Sequence, residues 1–142
     1  MPEDSQLTAV AHVIQLAVAP VFLVSGIAGL LAVLANRLGR IIDRARVLEV
    51  VPQSNAAVAT ELVALSRRAV LINHSITLAT SSALLISTVI VFLFLGAFLS
   101  LNVVLVVGIL FVVAMLALIV GLVTFLREVR LAVHTLHIGT GH

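Results

Sequence analysis

The stretch AVLINHSITLATSSALLISTVIVFLFLGAFLSLNVVLVVGILFVVAMLALIVGLVTFL, residues 69–126, contains no Asp, Glu, Lys or Arg. About 20 apolar residues span the hydrocarbon core of a bilayer. The stretch is therefore too long for one crossing and right for two. Gly96 to Asn102 (GAFLSLN) supplies the turn between them. Arg67 and Arg68 stand just before the stretch, and Arg127 and Arg130 just after it. Charge is thus excluded from the two spans and gathered at one end of the pair.

Working back toward the N-terminus, residues 13–35 form another uncharged apolar run. Pro20 lies inside it, which membrane helices tolerate better than soluble ones. The run is followed by Arg37, Arg40, Arg44 and Arg46. With Arg67, Arg68, Arg127 and Arg130 these make up the eight Lys and Arg of the chain. Both arginine groups fall on one side of a membrane only if there are three crossings. The positive-inside rule then puts that side in the cytoplasm and the N-terminus, with Glu3 and Asp4, outside.

Composition agrees. The hydrophobic share is 62% and the mean hydropathy +1.31. A soluble domain of 142 residues could not hide so much apolar surface. The isoelectric point of 11.2 is not a nucleic-acid signal. The net charge is only +2, and Trp and Tyr platforms are missing. With no Cys, disulfides, thiolate metal sites and Cys nucleophiles are excluded. The first residues carry Glu3 and Asp4 where a secretion signal carries positive charge. The first apolar run is therefore expected to be a retained span.

The expected fold is an all-α membrane protein with three transmembrane helices. Residues 1–12 are read as an extracytoplasmic N-terminus, 13–35 as span one and 36–69 as a cytoplasmic helical hairpin. Residues 70–99 are read as span two, 100–102 as an outer turn, 103–126 as span three and 127–142 as a cytoplasmic tail. In the hairpin, Leu38, Ile41, Ala45 and Leu48 form one apolar face and Val58, Leu62 and Leu65 the other, at helical spacing. Pro52 breaks the chain between them, and Ser54 or Asn55 can cap the second helix. A turn this short makes the two extensions antiparallel neighbours.

Laid out at about 100° per residue, each span has one face of small or polar residues. In span one Gln15, Phe22, Gly26, Gly29, Val33, Asn36 and Arg40 point together. In span two Asn73, Thr77, Thr80, Ser81, Ser87 and Thr88 do so, interrupted by Leu84. In span three Ala114, Ala117, Gly121, Thr124 and Glu128 line up. Small residues let helices approach, so Gly26, Gly29, Ala117 and Gly121 are expected at packing contacts. The span-two stripe is open to two readings, helix packing or the lining of a pore between subunits. No full charge lies in the middle of a span, which disfavours a proton relay.

Glu128 shares the small face of span three, so it is expected to turn into the bundle and meet an arginine. The candidates are Arg37, Arg40, Arg44, Arg67 and Arg68, and Arg40 is favoured because it continues the span-one face. Asp43, one turn on, would share the same network. This interfacial charge cluster would fix topology and contact anionic lipid headgroups. His134 and His137 are three apart, a weak metal signal without a third ligand. No phosphate loop, nucleophile elbow or paired carboxylates are present. No enzyme activity, cofactor, metal or nucleic-acid partner is expected.

Several stretches resemble one family. They are Pro20-Val-Phe-Leu-Val-Ser-Gly-Ile-Ala-Gly, Asn36-Arg37-Leu-Gly-Arg40-Ile-Ile-Asp43-Arg44-Ala-Arg46, Arg67-Arg68 with Ile72-Asn73, and Phe125-Leu-Arg127-Glu128-Val-Arg130. Together they resemble the bacterial membrane proteins of domain of unknown function 2721, over about Ile14 to Leu131. The Asn-Arg…Arg…Asp-Arg-x-Arg run is the most specific part. The resemblance implies a small three-pass membrane protein and no assigned activity. The functional expectation is a scaffold or regulatory homo-oligomer of the bacterial inner membrane. The alternative is an oligomeric channel or small-solute pathway lined by the polar face of span two.

Overall fold

The computed structural model describes residues 1–52 and 55–137, with the side chains of residues 135–137 outside that description. Three α-helices follow in order, α1 (Pro2–Glu49), α2 (Ala56–Leu99) and α3 (Val104–His137), and there is no strand among the described residues. All three are long and apolar enough to cross a membrane. This is a multi-pass membrane protein.

Helix α1 has 48 residues, about 72 Å at 1.5 Å per residue. The hydrocarbon core is about 30 Å thick, so α1 projects well beyond it. Pro2 begins the helix where its missing N–H is no loss, and Glu3 and Asp4 sit in the first turn, toward the positive end of the helix dipole. The helix runs through Pro20 without interruption. Asn55 caps α2, its Oδ1 accepting from the Ala57 N–H at 3.0 Å. The alternative cap, Ser54, lies outside the described residues.

The α2–α3 turn is closed by Ser100, whose φ of 52° puts it in the left-handed region. The Leu101 N–H donates to the Gly96 carbonyl at 3.1 Å. A Cβ on Gly96 would collide with the Val103 side chain, which is why glycine stands there.

Helix α2 is the middle element, packed against α1 on one side and α3 on the other. Among the described residues no Cα of α1 comes within 8 Å of one of α3. The buried positions repeat every seven residues. On α1 they are Val13, Pro20, Ile27, Leu34, Ile41 and Leu48, with Ala17 buried besides. On α2 they are Leu65, Ile72, Ala79 and Ile86, with Ser75, Ser82, Val89 and Gly96 three positions on. On α3 they are Ala114, Gly121 and Glu128, with Leu118 buried besides. A seven-residue repeat keeps one seam in contact when helices wrap in a left-handed sense.

Two clusters fill that seam. Ile27, Ala79, Ile86, Ala114 and Leu118 lie inside the spans. Leu34, Ile41, Leu48, Leu65 and Ile72 carry the seam on into the projecting hairpin. Leu38, Ala45, Val58 and Leu62 pack against the second cluster, so the apolar faces of the two extensions do meet.

The face expected to pack span one turns outward instead. Gly26 and Gly29 are exposed, and a Cβ on either would meet nothing within 4 Å. Phe22 is 73% exposed on the same side. The aliphatic side of α1 makes the contact: Ile27 clusters with Ala79 and Ile86 of α2, and Leu34, Ile41 and Leu48 with Leu65 and Ile72. Dispersion packing of this kind is the main attraction between helices in lipid. On α3 the expectation and the structure agree: Gly121 is buried, 3.2 Å from Leu78 Cβ were it given a Cβ, and Ala117 is half-buried beside it.

Candidate functional site

The seam ends in a charge. Glu128 continues the Ala114, Gly121 repeat, so the same phase that brings those small residues inward brings a carboxylate with them. It is fully buried. A lone buried carboxylate would be costly. Two arginines meet it, one from each of the other helices. Arg68 Nε on α2 donates to Glu128 Oε1 at 3.0 Å. Arg37 Nη2 on α1 lies 3.2 Å from Oε2.

The two contacts are not equivalent. The Arg37 approach is an ion pair without hydrogen-bond alignment, so Oε2 is buried without a hydrogen bond. Arg37 also lies over the Phe125 ring, 5.3 Å from its centroid. The ring quadrupole attracts the cation. Since α1 and α3 do not approach at the backbone, the Arg37 side chain ties them. Glu128, Arg37 and Arg68 thus clasp all three helices at one level, just where the charge-free spans end.

This corrects two expectations. Arg40 does not reach Glu128; it is exposed and makes no ion pair among the described residues. It stands three positions beyond Arg37, about 300° around the helix, and so misses the seam. Asp43 is likewise exposed and joins no network. Arg44 pairs elsewhere, its Nε donating to Glu61 Oε1 at 2.8 Å across the hairpin. That bond, followed by the Glu61 charge, raises the Arg44 pKa above its ordinary value. Arg37, Arg40, Arg44 and Arg68 line a groove of about 370 Å³ on the α1–α2 side.

Arg67 turns away from its neighbour Arg68. With Arg127, Arg130 and His134 it lines a separate groove of about 700 Å³ between α2 and α3, floored by Val63, Val70, Leu71 and Leu131. The sequence carried a signal for it that residue-by-residue reading missed. Val63, Arg67 and Val70 on α2, and Arg127, Arg130, Leu131 and His134 on α3, each fall at helical spacing.

The polar face of α2 is exposed throughout: Asn73, Thr77, Thr80, Ser81, Ser87 and Thr88 all point away from the bundle. Thr77, Ser87 and Thr88 donate to their own helix, at the carbonyls of Asn73, Ala83 and Leu84. The hydroxyl that does link helices is Ser82, whose Oγ donates to the Ala114 carbonyl of α3 at 2.8 Å. Ser75 is also buried, bonded to the Leu71 carbonyl. Neither serine belonged to the expected polar face. Their seven-residue spacing, shared with Val89 and Gly96, was the clue.

No group of three His, Cys, Asp or Glu that could hold a metal occurs among the described residues. The His137 side chain, half of the weak metal pair, lies outside them.

Residues 17–138 match the family model described as protein of unknown function (DUF2721). The chain belongs to this family. The match takes in most of α1, all of α2 and the whole Glu128 clasp. No curated protein and no solved structure matches the chain. The family description assigns no activity, so function must be argued from the arrangement of these side chains.

Proposed function

We propose that this DUF2721 protein is a non-enzymatic scaffold or regulatory protein of the bacterial cytoplasmic membrane, working as a homo-oligomer. The observation that carries the reading is the outward direction of the small and hydroxyl faces. Gly26 and Gly29 on α1 have open space where a side chain would project. Thr77, Thr80, Ser81, Ser87 and Thr88 on α2 are exposed. Small-residue faces let membrane helices approach closely. Here they are left over once the three helices have packed, and a second copy would cover them. The deepest carboxylate, Glu128, is held between two arginines and shut from solvent, which fits a structural clasp better than proton transfer.

In this reading the arginine-bearing end and the C-terminus are cytoplasmic, against anionic headgroups, and Glu3 and the Ser100 turn are outside. A membrane-impermeant thiol reagent should label an Asn102→Cys variant from outside; labelling only from the cytoplasmic side would overturn the orientation.

Self-association is tested by single-molecule photobleaching in vesicles and by mass in detergent. The protein should show more than one copy per particle, and Gly26→Leu with Gly29→Leu should lower that number. A monomer at ordinary membrane density overturns the oligomer. A pore lined by the α2 hydroxyls is the rival. Leu84, 65% exposed in the middle of that stripe, weighs against it. Solute efflux from vesicles, blocked by Thr80→Leu, would decide for the pore.

A further inference from the structure

The groove between α2 and α3 has a chemistry of its own. Arg67 from α2 and Arg127 and Arg130 from α3 line it together. None of the three forms an ion pair among the described residues, and no carboxylate lines the groove. Like charges converging from two helices repel one another. The α1–α2 groove shows the other solution. There Arg37 and Arg68 share Glu128 and Arg44 pairs with Glu61, while Arg40 is left without an ion pair among the described residues.

Apart from Ser66 and His134, the rest of the α2–α3 groove is apolar. Val63, Val70, Leu71 and Leu131 form its floor, and Val63 and Val70 are 66% and 53% exposed. A free anion has no use for such a floor. An anionic amphiphile uses both parts, the arginines for phosphate oxygens and the floor for methylenes. The level also fits. Arg67 and Arg127 flank the charge-free residues 69–126, at the height where a leaflet changes from acyl chain to headgroup. The volume of about 700 Å³ lies within the roughly 300–1,000 Å³ of ligand pockets.

We propose that this groove is a binding site for one anionic phospholipid, its phosphate held by Arg67, Arg127 and Arg130 and the start of its acyl chains laid along Val70 and Leu71. The proposal rests on the reading of the chain as a membrane protein and not on the oligomer, since it specifies one lipid per chain whatever the number of chains.

The test uses the full chain in mild detergent, titrated with phosphatidylglycerol, phosphatidylcholine or glycerol phosphate and read by native mass spectrometry. One phosphatidylglycerol per chain should be retained at concentrations where phosphatidylcholine is not. Each basic residue near an anionic surface contributes about 1 kcal/mol, about fivefold in affinity. Arg67→Gln, Arg127→Gln and Arg130→Gln together should therefore weaken phosphatidylglycerol roughly a hundredfold. Arg40→Gln with Arg46→Gln, away from the groove, should leave it unchanged. Equal retention of the two lipids, or an indifferent triple variant, would overturn the site. Glycerol phosphate binding as tightly as phosphatidylglycerol would show a free-anion site and overturn the lipid assignment.

A second measurement needs no variant. A photoreactive phosphatidylglycerol in vesicles of the unmodified protein should cross-link to peptides holding residues 63–71 and 127–134. Cross-links confined to α1 would overturn the proposal. Oligomer size is read separately by photobleaching, so loss of the lipid site and loss of self-association are distinguishable.

Discussion

Two groups of arginines stand at the same end of this bundle and meet opposite surroundings. Arg37 and Arg68 face the seam and close on buried Glu128. Arg67, Arg127 and Arg130 face an outer groove without a carboxylate. The contrast is sharpest at Arg67 and Arg68, neighbours in the chain. A step of one residue turns the side chain by about 100°. That turn separates a cation spent on holding three helices together from one left to meet whatever lies outside. Residue type and membrane depth are the same, so helix phase alone assigns the role.

The largest effect should come from breaking the inner group while leaving its carboxylate. Arg37→Ala with Arg68→Ala strands Glu128 in the seam, fully buried. Removing the partners of a buried charge costs about 3–5 kcal/mol. The fall should be visible in thermal or denaturant unfolding in detergent. Adding Glu128→Leu should restore most of it, because the stranded charge and not the lost contact is the cause. A double variant as stable as the parent would break the comparison.

Removing Glu128 itself should cost less. Arg37 and Arg68 keep 33% and 25% of their side-chain surface accessible, so they can turn their heads toward water. Glu128→Ala should destabilise by about 1–3 kcal/mol. Arg127→Ala and Arg130→Ala, on the outer groove, should stay within about 0.5 kcal/mol. Equal losses at all three positions in the same unfolding assay would mean that the two groups are not different in kind.

The number of helices and the inward turn of Glu128 were legible because each rests on a long pattern, whereas the helical start of α1 at Pro2 and the run of α3 to His137 were not. A run without charge as long as residues 69–126 has few alternatives to two crossings. The hairpin was legible for the same reason, since Ile41, Leu48 and Leu65 continue a period begun inside the membrane. What was not legible was which face of α1 packs. In water, Ile27 and Leu34 would have been assigned to the core at once. In a membrane every face is apolar, and the small residues were taken as the contact. The structure packs the aliphatic face of α1 against α2, Ile27 with Ala79 and Ile86, and Leu34, Ile41 and Leu48 with Leu65 and Ile72, a fit between two helices that neither stretch of sequence shows alone. Choosing Arg40 over Arg37 followed from that one error of phase.

Glycine substitutions sharpen the interior-versus-outer contrast without touching charge. A Cβ on Gly121 would stand 3.2 Å from Leu78 Cβ and 3.5 Å from the Ser75 carbonyl oxygen. Gly121→Leu should force α2 and α3 apart and cost about 1–3 kcal/mol, the range for overpacking. Gly29→Leu has open space around it and should leave the unfolding of a single chain unchanged or slightly improved, as expected for replacing a helical glycine. Its effect should appear in self-association. If Gly29→Leu unfolds the chain as readily as Gly121→Leu does, the outward assignment of that face is wrong.

Among the ion pairs the smallest effect is expected at Arg44–Glu61, which lies between the two groups in character. It crosses the hairpin at 2.8 Å, as a seam contact might, yet Arg44 is 54% exposed and Glu61 41%. Exposed pairs gain little because water screens them and two long side chains must be held still. Arg44→Gln should therefore shift unfolding less than Glu128→Ala or Gly121→Leu does. The pH dependence has a definite sign. The Glu61 hydrogen bond and charge raise the Arg44 pKa. A raised folded-state pKa contributes stability that is complete below the unfolded value and is lost only as pH rises through the folded one. Both values for an arginine lie above ordinary buffers, so the difference between parent and Arg44→Gln should be flat from about pH 6 to about pH 9. It should shrink with added salt, because an ion pair exposed to solvent is screened by mobile ions. A difference that grows or falls across that pH range would show that Arg44 is tied to a group other than Glu61 that titrates near neutrality, and would overturn its assignment to this exposed pair.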